Sequence, residues 1–399
     1  MLVFIINVCH IFLLINVIIK IIKRKQDSSL LWILISLMYF ISIPLFFDAF
    51  GCLIQGSSDW ELSILEYNPW WERGFIDSYL LDMSLKSLIF NVLIICVYNL
   101  ISDKKNNTFV YNENNINDYF LPWWLCYTIS YLGFVLFLLN YSLLGFNFSG
   151  NKIVNLCQGM FITIAPLGLV KGLFKKQYLL GIGTILPVVA VALMFEARAR
   201  IISLAFVILY YYLWKSSISK FKWKNLLILI ILGFSGTLLL TVMKGADGAS
   251  YPFVKDVSYS HLFYFYEHSE SVYTKGTNFL RLLFTCIYSL EVEDITFKLA
   301  DYKFFVGWGT LHPTMLGWAL IDLKERFWLL AIWLGVFLGF SDRLRYKLPK
   351  KYNIIYVSFI FVFVSVCARG SVQYAYAAIV YPFFCMLIYL FYYKRIKKK

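Results

Sequence analysis

Apolar runs of about twenty residues recur along most of this chain, and a run of that length is what an α-helix needs to cross the hydrocarbon of a bilayer. They fall at 2–22, 30–50, 79–101, 120–145, 153–174, 178–195, 201–214, 225–243, 326–340, 352–367 and 373–393. Only helices and closed barrels satisfy their backbone groups in lipid. The pattern therefore predicts an all-α, polytopic integral membrane protein of eleven transmembrane helices, with ten or twelve as the neighbouring counts. Composition agrees: 60% of residues are hydrophobic and only 15% charged, more apolar than a soluble surface tolerates. The run 201–214 is too short to span alone and takes the preceding residues 196–200 as its outer turn.

The formal charge of +14 is unevenly spread. Most of the basic residues sit in one set of alternating loops, at 20–25, 104–105, 171–176, 215–224, 343–351 and the tail 394–399. Basic residues accumulate in cytoplasmic loops, so this set is expected inside, with the N-terminus periplasmic and the C-terminus cytoplasmic. The charge is then an insertion signal, and the basic tail gives no ground for a nucleic-acid partner. The first run lacks a small-residue cleavage pattern and reads as a retained helix.

Of the eight cysteines, Cys9, Cys96, Cys126, Cys157, Cys367 and Cys385 fall in apolar runs without metal-ligand spacing and are expected to pack as small apolar residues. Cys52 and Cys286 lie on the outer side, where a disulfide is chemically permitted.

Two outer connections are too long to be turns. One is 51–78, where Asp59, Trp60, Glu61, Glu66, Trp70, Trp71, Glu72 and Asp77 accompany a single arginine, Arg73. Tryptophan beside carboxylate can hold a sugar, and tryptophan is also the usual interfacial residue. The other is 244–325, which opens on a flexible KGADGAS stretch. It continues into aromatic, helix-compatible sequence over 261–269 and 278–290, expected as short helices on the outer membrane surface. The organisation that follows is a membrane domain over 1–243 (eight spans), a periplasmic loop domain over 244–325, and three last spans with a basic tail over 326–399. The asparagine-rich inner loop 106–117 is expected to be disordered or variable.

No P-loop, GxGxxG, HExxH or GxSxG motif is present, so chemistry must be read from charge placement. Arg198 and Arg200 open the seventh run, with Glu196 as the only acid beside them. Glu196 and Arg200 can pair at i, i+4, which still leaves a surplus of positive charge. Two positions apart on a helix, the guanidinium groups diverge and suit two phosphates. Arg369, next to Gly370 and Ser371, stands at the outer end of a late run, where it can bind an anion or snorkel. Arg281 lies among Phe279, Leu280, Leu282 and Leu283 as an anion ligand or headgroup anchor. Glycines and Pro313 break the helix over 307–318 and leave free backbone near His312. That histidine suits a general base on a sugar hydroxyl, or the cap of a re-entrant turn. Glu267, His268, Glu270 and Asp322 are the other candidates for base, and Glu267, His268, Glu196 and Arg73 join Arg281 and Arg369 as candidate ligands of pyrophosphate or glycan.

The whole plan resembles the Wzy-type O-antigen and capsular repeat-unit polymerases of bacterial envelopes. The likeness lies in about eleven spans with one large late outer loop, the Arg198/Arg200 pair opening a span, and the stretch 309–317 leading into a late span. It implies a metal-independent, cofactor-free glycosyl transfer on the periplasmic face of the inner membrane. A glycan carried on undecaprenyl pyrophosphate moves onto another lipid-linked unit and undecaprenyl pyrophosphate leaves; a chain-length regulator is a further implied partner. Two other readings stay open. A GT-C-type glycosyltransferase using a polyprenyl-phosphate sugar would use carboxylates such as Asp48, Asp59 or Glu61. A lipid-linked oligosaccharide flippase would bury its cations in a central cavity between two related halves.

Overall fold

The computed structural model describes residues 1–24, 28–54, 73–102, 121–144, 152–194, 273–284 and 314–345, together with residues 204, 208, 363, 364, 367 and 368. Among them every regular element is helical. They are α1 (Leu2–Lys23), α2 (Ser29–Leu37), a π-helical segment (Met38–Ser42), α3 (Ile43–Ile54), α4 (Arg73–Ile101), α5 (Trp123–Leu144) and α6 (Lys152–Phe174). After these come α7 (Tyr178–Met194), α8 (Thr277–Phe284), α9 (Thr314–Leu323), a 3₁₀ turn (Lys324–Arg326) and α10 (Trp328–Arg345).

Four stretches are long and apolar enough to cross a membrane: Leu2–Lys23, Ser29–Phe46, Leu80–Ile101 and Trp123–Asn140. Thr314–Arg326 and Trp328–Arg345 pass together as a fifth, bent by 119°. The protein is therefore all-α and membrane-embedded, with four or five such spans among the described residues. The runs expected at 225–243, 352–367 and 373–393 lie outside them apart from single residues, as does most of 201–214.

The chain divides into two compact units, one of Met1–Thr108, Tyr251–Tyr346 and Cys367–Val372, the other of Phe109–Ser250, Lys347–Val366 and Gln373–Lys399. In the first, α4 is the central helix: α1, α2, α3 and α10 all pack on it. Its buried positions Leu80, Met83, Ser84, Ser87, Asn91, Ile94 and Tyr98 recur every three or four residues, as a helical stripe must. The α4–α10 contact is close because α10 presents Gly335 and Gly339 one turn apart. A Cβ on Gly335 would lie 2.8 Å from Val97 Cβ, and one on Gly339 3.1 Å from Ile101 Cβ. Small residues at this spacing let helix backbones approach in lipid.

At the far end of α10 the buried Asp342 carboxylate draws three elements together. It accepts from Tyr98 Oη of α4 at 2.6 Å and from both the backbone N (2.8 Å) and Oγ (2.9 Å) of Ser29, which opens α2. Arg345 is buried in the same last turn and its charge acts on Asp342. A buried carboxylate is tolerable on these terms, hydrogen-bonded, beside a cation and at a helix N-terminus.

The second unit holds α5, α6 and α7, each packed on the other two. Gly168 and Gly172 of α6 face Thr184 and Gly181 of α7. Pro187 inside α7 has no N–H for the carbonyl of Gly183, four residues earlier. Tyr131 Oη of α5 donates to that carbonyl at 2.9 Å, while Tyr127 Oη donates to Leu180 O at 2.8 Å and Ser130 Oγ to Thr184 O at 3.0 Å. Neighbouring hydroxyls are how a membrane helix keeps a proline. Tyr131→Phe should lower stability by about 1 kcal/mol, read as a lower thermal midpoint in detergent. An unchanged midpoint would mean that the Gly183 carbonyl has another donor.

Lys171, buried near the end of α6, donates to Leu121 O and sits 4.4 Å above the Trp123 ring, joining that end to the start of α5. Cys126, Cys157 and Cys367 are buried as expected of packing residues, whereas Cys9 and Cys96 are exposed on helix faces. The Cys286 thiol and the side chains of Cys52 and Cys385 lie outside the description.

Candidate functional site

Of the segment 244–325, residues 273–284 and 314–325 are described, and both stretches belong to the first unit. The sequence places broken backbone over 307–318; its described part, Thr314–Trp318, is instead the start of α9. Every residue of α9 from Thr314 to Leu323 is buried, and the chain then turns sharply into α10. Ten residues rise only about 15 Å, too little to cross a bilayer, so hydropathy alone does not mark α9 as an element of its own. Thr314 has φ +64°, a conformation that a β-branched residue adopts only under constraint, two residues after His312 and directly after Pro313. Its hydroxyl faces the N–H of Gly317 at 3.4 Å.

The C-terminal turn of α9 is a junction of four elements. Asp322 is wholly buried, and its carboxylate accepts from the backbone N of Phe279 at 2.6 Å, from that of Asn278 at 3.2 Å and from the Thr274 hydroxyl. Its backbone carbonyl accepts from Gly276 N at 2.7 Å. Asn278 and Phe279 lie in the first turn of α8, whose N–H groups lack partners within the helix, so Asp322 caps that helix from across the chain. Gly276, at φ +77°, gives the turn that delivers α8 to it. Lys324, two residues after Asp322, sits with Nζ 4.5 Å over the Tyr273 ring and holds the same turn a second time. Lys86 of α4, with a side chain only 9% exposed, pairs with Asp82 at 2.8 Å and reaches Glu325 at 3.6 Å. Glu325 is 78% exposed, which leaves that contact worth under about 1 kcal/mol.

The helix expected over 278–290 is thus described as Thr277–Phe284, with Asn278 and Leu282 buried and Leu280 exposed. Arg281 stands on this helix and Arg73 opens α4, the side chains of both being outside the description. Arg198, Arg200, Glu196, Glu267, His268, Glu270, His312 and Arg369 lie outside the described residues. Arg369 follows the buried Ala368, and Glu196 comes two residues after the end of α7. What the fold brings together is therefore the Arg281-bearing helix and the half-helix that begins two residues after His312 in the chain, locked by Asp322. Asp322, with three donors on its carboxylate, serves as a clamp in this arrangement.

Sequence reasoning left the clamp unassigned. Its signal is faint: an acid in an apolar stretch, 44 residues from a Thr-Lys-Gly-Thr-Asn turn whose glycine needs a left-handed backbone. The class that fold and junction define is an all-helical, membrane-embedded protein in which a buried half-helix bends by 119° into α10. Compared with family models, curated proteins and solved structures, the chain matches none.

Proposed function

We propose that the protein polymerises undecaprenyl-pyrophosphate-linked oligosaccharide repeat units into O-antigen or capsular polysaccharide at the periplasmic face of a bacterial inner membrane, with its N-terminus periplasmic and its C-terminus cytoplasmic. The observation that carries this reading is the break in the late span. A buried half-helix starts two residues after His312 in the chain and ends in a clamp that holds the Arg281-bearing helix. The surplus of cations over acids at Arg198, Arg200 and Arg369 supports it from the sequence.

In the proposed reaction His312 takes the proton from an acceptor hydroxyl, whose oxygen attacks the anomeric carbon of the lipid-linked glycan. The bond from that carbon to pyrophosphate breaks, and the departing negative charge is met by Arg198 and Arg200, with Arg369 and Arg281 as further cations. Glu196, Glu267, His268 and Arg73 are assigned to holding glycan or pyrophosphate. No metal or cofactor enters the scheme, and a chain-length regulator is the natural protein partner.

Arg198→Ala or Arg200→Ala should abolish long-chain polysaccharide while leaving the protein inserted. Removing one such electrostatic group costs on the order of 10²–10³ in rate. A gel of surface polysaccharide from deletion cells complemented with each form reads this out. Normal chain length in both variants would sink the site. Loss of even the single repeat unit on deletion would point to an earlier glycosyltransferase or flippase.

A further inference from the structure

His10, the histidine among the described residues, has no part in the proposed reaction and is wholly buried on α1. Its Nε2 lies 2.8 Å from the amide nitrogen of Asn91 on α4, and one turn earlier Asn7 Nδ2 donates to Ser84 Oγ at 2.8 Å. All four side chains are at most 1% exposed, as is Ser87 between them on the α4 stripe. Two helices that expose Ile5, Phe12, Ile15, Ile89 and Val92 on their outer faces thus meet along a polar seam.

The seam is incompletely satisfied by protein. Asn7 Oδ1, His10 Nδ1, Ser87 Oγ and Asn91 Oδ1 are buried without a hydrogen-bonding partner. Ser87 is the telling member. A helical serine or threonine ordinarily returns its hydroxyl to the carbonyl four residues back, as Ser84 does to Leu80 at 2.7 Å and Thr163 to Gly159 at 2.6 Å. Ser87 does not. Two further hydroxyls without a partner, Ser36 and Ser42, stand on α2 and the π-helical segment, which also pack on α1. In hydrocarbon an orphaned polar group has no bulk solvent to turn to, so the partner must be held by the protein.

We infer that the α1–α4 seam is a water-binding site inside the membrane domain, with His10 as its donor and the two asparagine carbonyls and Ser87 as its acceptors. The chemistry selects water over an ion. With the Asn91 amide donating to Nε2, the imidazole carries its proton on Nδ1, so the site offers one N–H beside neutral oxygens and lacks the all-acceptor shell a metal cation requires. A water makes two to four hydrogen bonds and takes both roles. The seam also fixes α1 in register on α4, because sliding either helix by a turn would strand both pairs.

Short-pulse hydroxyl-radical labelling of the full-length wild-type protein in nanodiscs tests the assignment, since radicals generated from bound water oxidise the side chains next to it. Met83 is wholly buried one turn before Ser87; Met315 is equally buried on α9, a helix without an unpartnered polar atom. Met83 should be oxidised several-fold faster than Met315. Equal protection of the two methionines would mean a dry seam and overturn the inference. No variant is needed, so misfolding cannot blur the result, and it is independent of whether the protein polymerises glycan.

Discussion

Asp322→Ala should unfasten α8 from the end of α9. The substitution strands the N–H groups of Asn278 and Phe279 and the Thr274 hydroxyl, two of them at the start of a helix whose neighbours are buried. Each buried donor left without an acceptor costs about 1–3 kcal/mol, so the expected loss is about 3 kcal/mol or more, with polymer formation abolished. Asp322→Asn separates a clamp from a general base. The amide keeps one carbonyl oxygen for the α8 backbone, so this variant should retain much of the stability and a measurable share of the chain length. If it were as stable as wild type yet as inactive as Asp322→Ala, the carboxylate would be the base and the clamp reading would be wrong.

Gly172→Val should prevent α6 and α7 from pairing. A Cβ on Gly172 would lie 2.6 Å from Gly181 Cα, 2.9 Å from Gly181 N and 3.0 Å from Gln177 O. All three are backbone atoms, which cannot rotate away as a side chain would. Overpacking of a well-fitted core typically costs about 1–3 kcal/mol, and a backbone clash belongs at or beyond the upper end of that range. Sharply lower yield and protease resistance are expected in purified protein. By contrast, Gly276→Ala has room, its Cβ meeting only Leu323 Cδ2 at 3.6 Å, and would suffer from backbone strain alone. Wild-type behaviour of Gly172→Val would contradict the tight α6–α7 contact.

Hydropathy made the long helices legible because lipid imposes one length and one polarity. The run drawn at 2–22 is α1, Leu2–Lys23, and that at 79–101 lies within α4, Arg73–Ile101, whereas the runs at 153–174 and 178–195 coincide with α6 and α7, which are not among the stretches long and apolar enough to cross a membrane. The run 30–50 is one continuous helical path, Ser29–Ile54, though its π-helical turn has no such signature. What was not legible depends on pairs far apart in the chain. Asp322 meets partners 43 to 48 residues away, and Asn7 meets Ser84 at a separation of 77. A buried acid and an asparagine in an apolar run look alike whether capped by a distant helix or left as a reactive group. The arginines drew attention because charge near lipid is costly, and that argument concerns type and depth without specifying geometry.

The most direct test of the polymerase reading is reconstitution of the purified protein in proteoliposomes supplied with an undecaprenyl-pyrophosphate-linked repeat unit. The account predicts chains of many units with one undecaprenyl pyrophosphate released per linkage formed, undiminished by a metal chelator and lost with Arg200→Ala. Lipid-linked units that cross the bilayer or persist as single units, with no linkage formed by the wild-type protein, would contradict it.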